Sequence, residues 1–355
     1  MKALGKTLIL SGSVLAGLLL ATLALKSFSC TPRIANGISE IRKVKLGGIN
    51  QSFSIRGENR DSPVLLYLHG GPGSTELIPF RLFHQALEKY FTVVVWEQRG
   101  TGKSYSPSIP RESMTIDQFV SDAHELTEYL KTDFKKDKIL VVGHSWGSIL
   151  GLLLVQKYPE SYFAYVGSGQ EVIPSEAERI GYRYLLAKAK DKPAAMKELA
   201  KLDIPEPYLT IDSDGRWFEK AKTDRKWMIA LGGEIYNRSD YSLFFNGKTL
   251  TAPEYTWMDF VHFARGSVFS LKEMWPQVMR LDFMKQVPEI SIPVFFFQGR
   301  HDYVASSSLV EKYAAVLKAP TKELVWFEGS GHDPIYEEAA AFDRLLIERV
   351  LPRCQ

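Results

Sequence analysis

Lys138-Ile139-Leu140-Val141-Val142-Gly143-His144-Ser145-Trp146-Gly147-Ser148-Ile149-Leu150 decides the reading of this chain. An apolar, β-branched run ends in Gly-x-Ser-x-Gly, and an equally apolar helical stretch starts at once. A strand that turns straight into a helix leaves room for only one tight corner, and the serine sits on it. Its neighbours must then be small enough for the helix to pack back over the strand. The pentapeptide alone is a weak signal, but the strand, turn and helix around it give a serine held out at the end of a sheet.

Working outward, β-rich runs fall at residues 41–46, 52–56, 64–69, 92–97, 138–142, 163–167, 293–298 and 323–327. The runs around Leu66 and Val94 are continuously apolar, as parallel strands covered on both faces require. Gly47-Gly48-Ile49-Asn50 turns the first two runs into a hairpin. Helical periodicity separates the later ones: Thr115 to Gln118 has capping-box spacing and opens a helix with Phe119, Ala123, Leu126 and Leu130 on one face. Further helices are expected at 146–158, 306–317 and 337–350. The fold class is therefore α/β, a doubly wound, mostly parallel eight-stranded sheet with helices on both faces. From Ser175, where Ser175 to Glu178 offers a second capping box, to about residue 284 the alternation stops and only helical segments follow. Residues 36–174 and 285–355 thus read as the sheet core, and 175–284 as an inserted helical lid.

The chain has 355 residues, 45% hydrophobic and 24% charged, which excludes a disordered or disulfide-built protein. Its net charge of +3, from 44 basic and 41 acidic side chains in mixed runs, provides no cationic face for nucleic acid. Residues 7–25 carry no charge; at about 1.5 Å per residue they reach roughly 28 Å, close to the hydrocarbon thickness of a bilayer. Residues 1–30 are accordingly a membrane-directing segment, and the membrane is a partner. Retention as an anchor, cleavage after Ser27-Phe28-Ser29 and lipid attachment at Cys30 all remain open, and each makes the protein membrane-anchored or exported. The two cysteines, Cys30 and Cys354, cannot build a metal site; a bridge between the termini and two unrelated surface thiols are equally open.

A serine hydroxyl needs a base, and the base needs a group to fix its tautomer. The run ending at Gln298 is followed by Gly299-Arg300-His301-Asp302, and the run ending at Phe327 by Glu328-Gly329-Ser330-Gly331-His332. Ser145, Asp302 and His332 therefore follow in the order nucleophile, acid, base at one edge of the sheet. His301, Asp333 and Asp282 are the competitors. Acyl transfer also needs backbone donors for an oxyanion. Trp146, directly after the serine, supplies one. Gly71, in the loop His69-Gly70-Gly71-Pro72-Gly73, supplies the other.

Taken with Trp96-Glu97-Gln98-Arg99-Gly100, these motifs over residues 40–350 resemble the proline iminopeptidase branch of the α/β-hydrolase superfamily. The resemblance implies an α/β-hydrolase fold with a helical cap, and Ser145, Asp302 and His332 as a triad with Gly71 and Trp146 as oxyanion donors. It also implies removal of an amino-terminal proline or small residue from a peptide through an acyl-enzyme, without cofactor or metal. Glu97 stands where the family has Asp, and His144 where it has Gly. The family holds the substrate's α-ammonium group with lid glutamates. Gly233-Glu234-Ile235-Tyr236 matches one such site, so Glu234 is the candidate anchor, with a lid salt bridge as its alternative role. A Trp-Glu pair is missing, because Met228 follows Trp227. Two other functions fit the residues: a membrane-associated esterase or lipase-like hydrolase acting on an acyl substrate, served by the lid aromatics Trp217, Trp227, Tyr255, Trp257, Phe260 and Phe263, and a non-catalytic binding module on the same scaffold.

Overall fold

The computed structural model describes residues 28–202, 216–240, 242–244 and 247–354. The apolar segment 7–25 lies outside them; among the described residues no helix is long and apolar enough to cross a membrane. Eight strands form one sheet: β1 (Ile38–Leu46), β2 (Ile49–Gly57), β3 (Val64–Leu68), β4 (Thr92–Glu97), β5 (Ile139–His144), β6 (Tyr162–Ser168), β7 (Val294–Gly299) and β8 (Lys322–Phe327). Their order is β1-β2-β4-β3-β5-β6-β7-β8. β1 and β2 form the antiparallel hairpin, β2 pairs antiparallel with β4, and every pairing from β4 to β8 is parallel. The hairpin turn is Gly47-Gly48, with Leu46 opposite Ile49, so Ile49 and Asn50 belong to β2 rather than to the turn.

The continuous apolar runs are buried on both faces. Leu66, Val94, Val141 and Phe296 point into one apolar layer; Leu65, Val93, Leu140 and Phe297 point into the other. Alternate residues of each strand thus feed opposite cores, as central parallel strands must when helices cover both sides. The covering helices are α1 (Leu77–Phe83), α2 (Ile116–Phe134), α3 (Trp146–Lys157), and, beyond the insertion, α10 (Ser307–Val316), α11 (Pro334–Glu337) and α12 (Ala339–Leu345), the last running on as a π-helical turn to Val350. Thr115 caps α2 by accepting from the Gln118 amide at 3.2 Å. Gln118 does not reach back to complete the box; its amide group donates to Asp122.

Between β6 and β7 the described residues form helices only: α4 (Pro174–Lys188), α5 (Pro193–Leu199), a short 3-10 turn, α6 (Arg216–Ala230), α7 (Gly247–Thr251), α8 (Trp257–Val278) and α9 (Phe283–Gln286). The expected capping box at Ser175 is not used. Pro174 is already the first helical residue, since its fixed φ and missing N–H suit that place, and no side chain caps the helix. A complete capping box is found instead at Thr256 and Asp259, opening α8. Cys30 is exposed and Cys354 buried, both as free thiols; no bridge links the ends, and Cys354 is not a surface group.

The hairpin is tied to the rest by a buried charge. Arg99, directly after β4, is fully buried with Asp122 of α2, which it meets with two nitrogens at 2.8 and 3.1 Å. It also donates to the Gly47 carbonyl, while Gln51 links Asp122 to the indole of Trp96. Removing one partner leaves a buried charge without its counter-ion, so Asp122→Ala is expected to cost about 3–5 kcal/mol. Arg99→Met with Asp122→Leu removes both charges and costs less than the single change; urea unfolding of the three proteins measures the difference.

Candidate active site

The parallel strands all end on one side, and the elements that leave them bring the sequence-predicted groups together. Ser145 follows β5 with φ of 53° and ψ of −122°, a backbone conformation that side chains other than glycine rarely take. The corner is fixed by the Ser145 amide donating to the Ser168 carbonyl at 3.0 Å, and by Ser148 returning its N–H and hydroxyl to the Ser145 carbonyl. The small neighbours are compulsory. A Cβ on Gly147 would lie 1.9 Å from the Leu68 carbonyl oxygen, and one on Gly143 would lie 2.3 Å from the Gly147 carbonyl oxygen. Backbone of β3, the elbow and α3 therefore touch directly.

His332 Nε2 lies 2.8 Å from Ser145 Oγ, and His332 Nδ1 lies 3.0 Å from Asp302 Oδ2. Asp302 Oδ2 also accepts from Gln298, and Oδ1 accepts the Val304 and Ala305 amides, so the carboxylate is fully used. Burial alone would raise its pKa, but the charge and hydrogen bond of His332 and the two amides hold it below the usual range. For His332 burial works downward and is outweighed by Asp302, so its pKa is raised. The competitors are engaged elsewhere: His301 stacks on Tyr236, Asp333 pairs with His144, and Asp282 pairs with Lys285.

The loop after β3 lies against the elbow, with a Cβ on Gly70 falling 3.3 Å from Ser145 Cβ. The Gly70 N–H is committed to Glu76 Oε1 at 2.9 Å, and Gly71 is the next amide in the loop. Trp146 is buried and its indole donates to Gln98, whose own amide group donates to the His69 carbonyl. Gln98 thus joins the residue after the serine to the loop that carries Gly71. An arrangement of hydroxyl, imidazole, carboxylate and adjacent main-chain amides has the parts for nucleophilic acyl transfer.

Sequence reasoning missed the group behind these loops. Glu76 is buried and accepts from Tyr67, from Tyr336 at 2.7 Å and from the Gly70 amide, and it faces His144 Nδ1 at 3.4 Å. His144 Nε2 lies 3.2 Å from Asp333 and 3.4 Å from the His332 carbonyl. Burial pushes Glu76 up, yet His144 and the other donors bring it down to about 2. Burial pushes His144 down, yet Glu76 and Asp333 lift it well above its ordinary value. One charged cluster therefore joins the Gly71 loop, the elbow and the segment after His332. The sequence offered a signal for it in the departure at His144, since an imidazole beside the serine needs acceptors.

These groups open onto a cavity of about 430 Å³ roofed by α4, α6 and α8, a size suited to a small ligand. Among the lid aromatics Tyr255, Phe260 and Phe263 line it; Trp217 is buried against Phe218, Trp227 bonds Glu198, and Trp257 is exposed. Tyr255 donates to Glu97, which burial raises to about 8. Glu234 also lines the cavity, but its carboxylate meets Arg225 at 3.0 Å and its carbonyl accepts the His332 amide. The lid salt bridge is thus formed. Beside it, Asp224 is buried, its Oδ1 without a hydrogen-bond partner among the described residues, and Glu178 and Glu171 add two further carboxyl groups. Burial raises Asp224 to about 7, against the pull of Arg225, and raises Glu171 to about 7.

The raised pKa of His144 gives a pH window. Its contribution to stability is complete below the unfolded value of 6.5 and is lost as pH rises through the folded value. Glu76 must be ionised as well, so the benefit is greatest at about pH 5–6. His144→Gln should therefore lower Tm most at that pH, and the gap to the parent should narrow above neutrality in a series of calorimetric scans.

The geometry can be set beside known proteins. Residues 63–339 match the alpha/beta hydrolase fold family. Over 309 residues the chain is 33% identical to the probable aminopeptidase YbaC of Bacillus subtilis (strain 168), covering 87% of this chain and 95% of that protein. It is 25% identical over 299 residues to the proline iminopeptidase of Heyndrickxia coagulans, covering 83% and 93%. The crystal structure of epoxide hydrolase VrEH1 from Vigna radiata aligns with a TM-score of 0.57 at 21% identity, covering 88% of this chain and 97% of that one, a likeness of fold alone. With the match running through most of the sheet, elbow and base loop, the chain belongs to the α/β-hydrolase fold family and is a proline iminopeptidase-like hydrolase.

Proposed function

We propose that the protein is a serine aminopeptidase that releases an amino-terminal residue, prolyl or small, through an acyl-enzyme. Ser145 attacks the scissile carbonyl; His332 takes the hydroxyl proton and returns it to the leaving amine; Asp302 holds the imidazole and stabilises its charged form. The amides of Gly71 and Trp146 receive the oxyanion. The observation that carries the reading is the 2.8 Å approach of Ser145 Oγ to His332, on the wall of a cavity whose opposite side is acidic. The names of the relatives support a peptide substrate.

The acidic side provides the specificity. Among the described residues Glu171, Glu178, Asp224 and Glu234 lie around Arg225, so several carboxyl groups converge on this side of the cavity. A substrate ammonium group is held by these carboxyl groups. Because Glu234 is balanced by Arg225, the contact passes to Asp224 and Glu178. The sequence of residues 7–25 supports a protein held at, or exported through, a membrane.

Turnover of a prolyl arylamide, its N-acetylated form and a short-chain aryl ester tests this reading, with Ser145→Ala as control. Prolyl cleavage that disappears on N-acetylation and in Ser145→Ala is the expected result; ester turnover with negligible amide cleavage would instead leave a membrane-associated esterase. Asp224→Asn should raise KM for the prolyl amide about tenfold or more, the worth of one charge-assisted contact, and leave the ester KM nearly unchanged. An equal rise for both substrates would sink the ammonium contact. Since the base must be unprotonated and His332 is raised, the acid limb of kcat/KM on the ester should lie above pH 6.5.

A further inference from the structure

Helix α8 shows two faces with different tasks. Phe260, Phe263, Ser267 and Leu271 look into the cavity. About 100° round the helix, Trp257, Met258, Val261 and Val268 look outward and are 42–57% exposed. Leu250 on α7 extends the patch, at 54% exposure. Eight large apolar side chains are exposed among the described residues; five are these, and a sixth is Phe28. Exposed apolar groups scattered singly are ordinary, but a gathering of this kind marks a contact surface.

The chain itself says what covers it. The Cys30 N–H donates to the Pro253 carbonyl at 3.0 Å, between α7 and α8, and Thr31 is held beside it by Arg56 and Glu254. Only five residue steps separate Leu25, the last residue of the uncharged segment 7–25, from Cys30, and fully extended these reach about 17 Å. A bilayer holding that segment lies within this distance of the α7–α8 corner. Charge agrees. The exposed charged residues along the outward stripe of α8 are Arg265 and Lys272, the latter with its ammonium 4.9 Å from the Phe218 ring centre, whereas the acidic Asp259 and Glu273 are turned aside onto Lys103 and Arg111. An apolar stripe with Trp at one end and basic residues along it is the composition that lies in the interface of an anionic membrane.

We infer that the outward face of α7 and α8 docks on the lipid bilayer into which residues 7–25 insert, with Trp257, Met258, Val261 and Val268 entering the headgroup region. This goes beyond the hydrolytic reading and does not depend on it; it rests on residues 7–25 being kept as a membrane anchor. The roof of the cavity is then the part of the molecule that touches lipid.

The full chain tests this, with Cys30→Ser removing the exposed thiol and single cysteines at Met258, Val261, Val268 and, as an exposed apolar control outside the patch, Val316. Each carries an environment-sensitive NBD label and is reconstituted in vesicles of phosphatidylcholine and phosphatidylglycerol, with unchanged far-UV circular dichroism confirming the fold. Blue-shifted emission and about twofold quenching by doxyl-labelled lipid are expected at 258, 261 and 268, with neither at 316. Three results overturn the inference: emission as in water at the three sites, which leaves the face in solvent; a blue shift without lipid quenching, which means that a second copy or the chain's own apolar segment covers it; and equal quenching at 316. None of these readouts uses hydrolysis, so failure here leaves the peptidase assignment intact, and the reverse also holds.

Discussion

Everything in this molecule is arranged around one close crossing of backbone. α3 begins directly on top of β3, so near that Gly147 can carry no side chain beneath the Leu68 carbonyl. That contact forces the chain to turn within a single residue, and the residue is Ser145, held at positive φ. Such a conformation costs on the order of 1–3 kcal/mol and survives only where its surroundings determine it. Here the parallel pairing of β3, β5 and β6 does so, because the Ser145 amide finds its acceptor on β6. The same crossing places the hydroxyl beyond the strand ends, where the loops after β7 and β8 arrive.

The second level of organisation is electrostatic. Buried charges are costly unless paired, and the site contains several. Arg99 and Asp122 fix the hairpin from behind. Glu76, His144 and Asp333 fix the loops from beside. On the lid side of the cavity, by contrast, Glu178, Asp224 and Glu234 lie close together, and among the described residues Asp224 Oδ1 has no hydrogen-bond partner. Each scaffold charge named here has its counter-ion, whereas burial raises Asp224 and Glu171 to about 7 at the cavity.

Much of the fold was readable from residue order. Continuous apolar runs identified the central strands because burial on both faces leaves no room for alternation. Strand limits shifted by up to three residues, since Ile49 and Asn50 pair with β1 although their local chemistry suggests a turn. Ser175 misled because a capping box is only a pattern of side chains, and Pro174 had already settled where the helix starts. At the site, Ser145, Asp302 and His332 could be proposed because each follows a strand, and strand ends are where a parallel sheet collects its loops. Glu76, Gln98 and Asp224 could not. Glu76 lies in the same stretch as the glycine loop and Tyr67, but its partners His144 and Tyr336 lie 68 and 260 residues away. The pairing of Glu234 with Arg225 was foreseen only as one of two roles, since they stand nine positions apart in the lid and only the packed helices decide which way the carboxylate turns.

The position of Glu76 bears on how the protein fails when heated. Loops around a reaction centre usually open locally before the whole domain melts, because each is secured separately. Here the glycine loop, the elbow and the segment behind the base all terminate on one carboxylate, so none can fray without disturbing the other two. Heat therefore acts on the three segments as one cooperative unit rather than loop by loop.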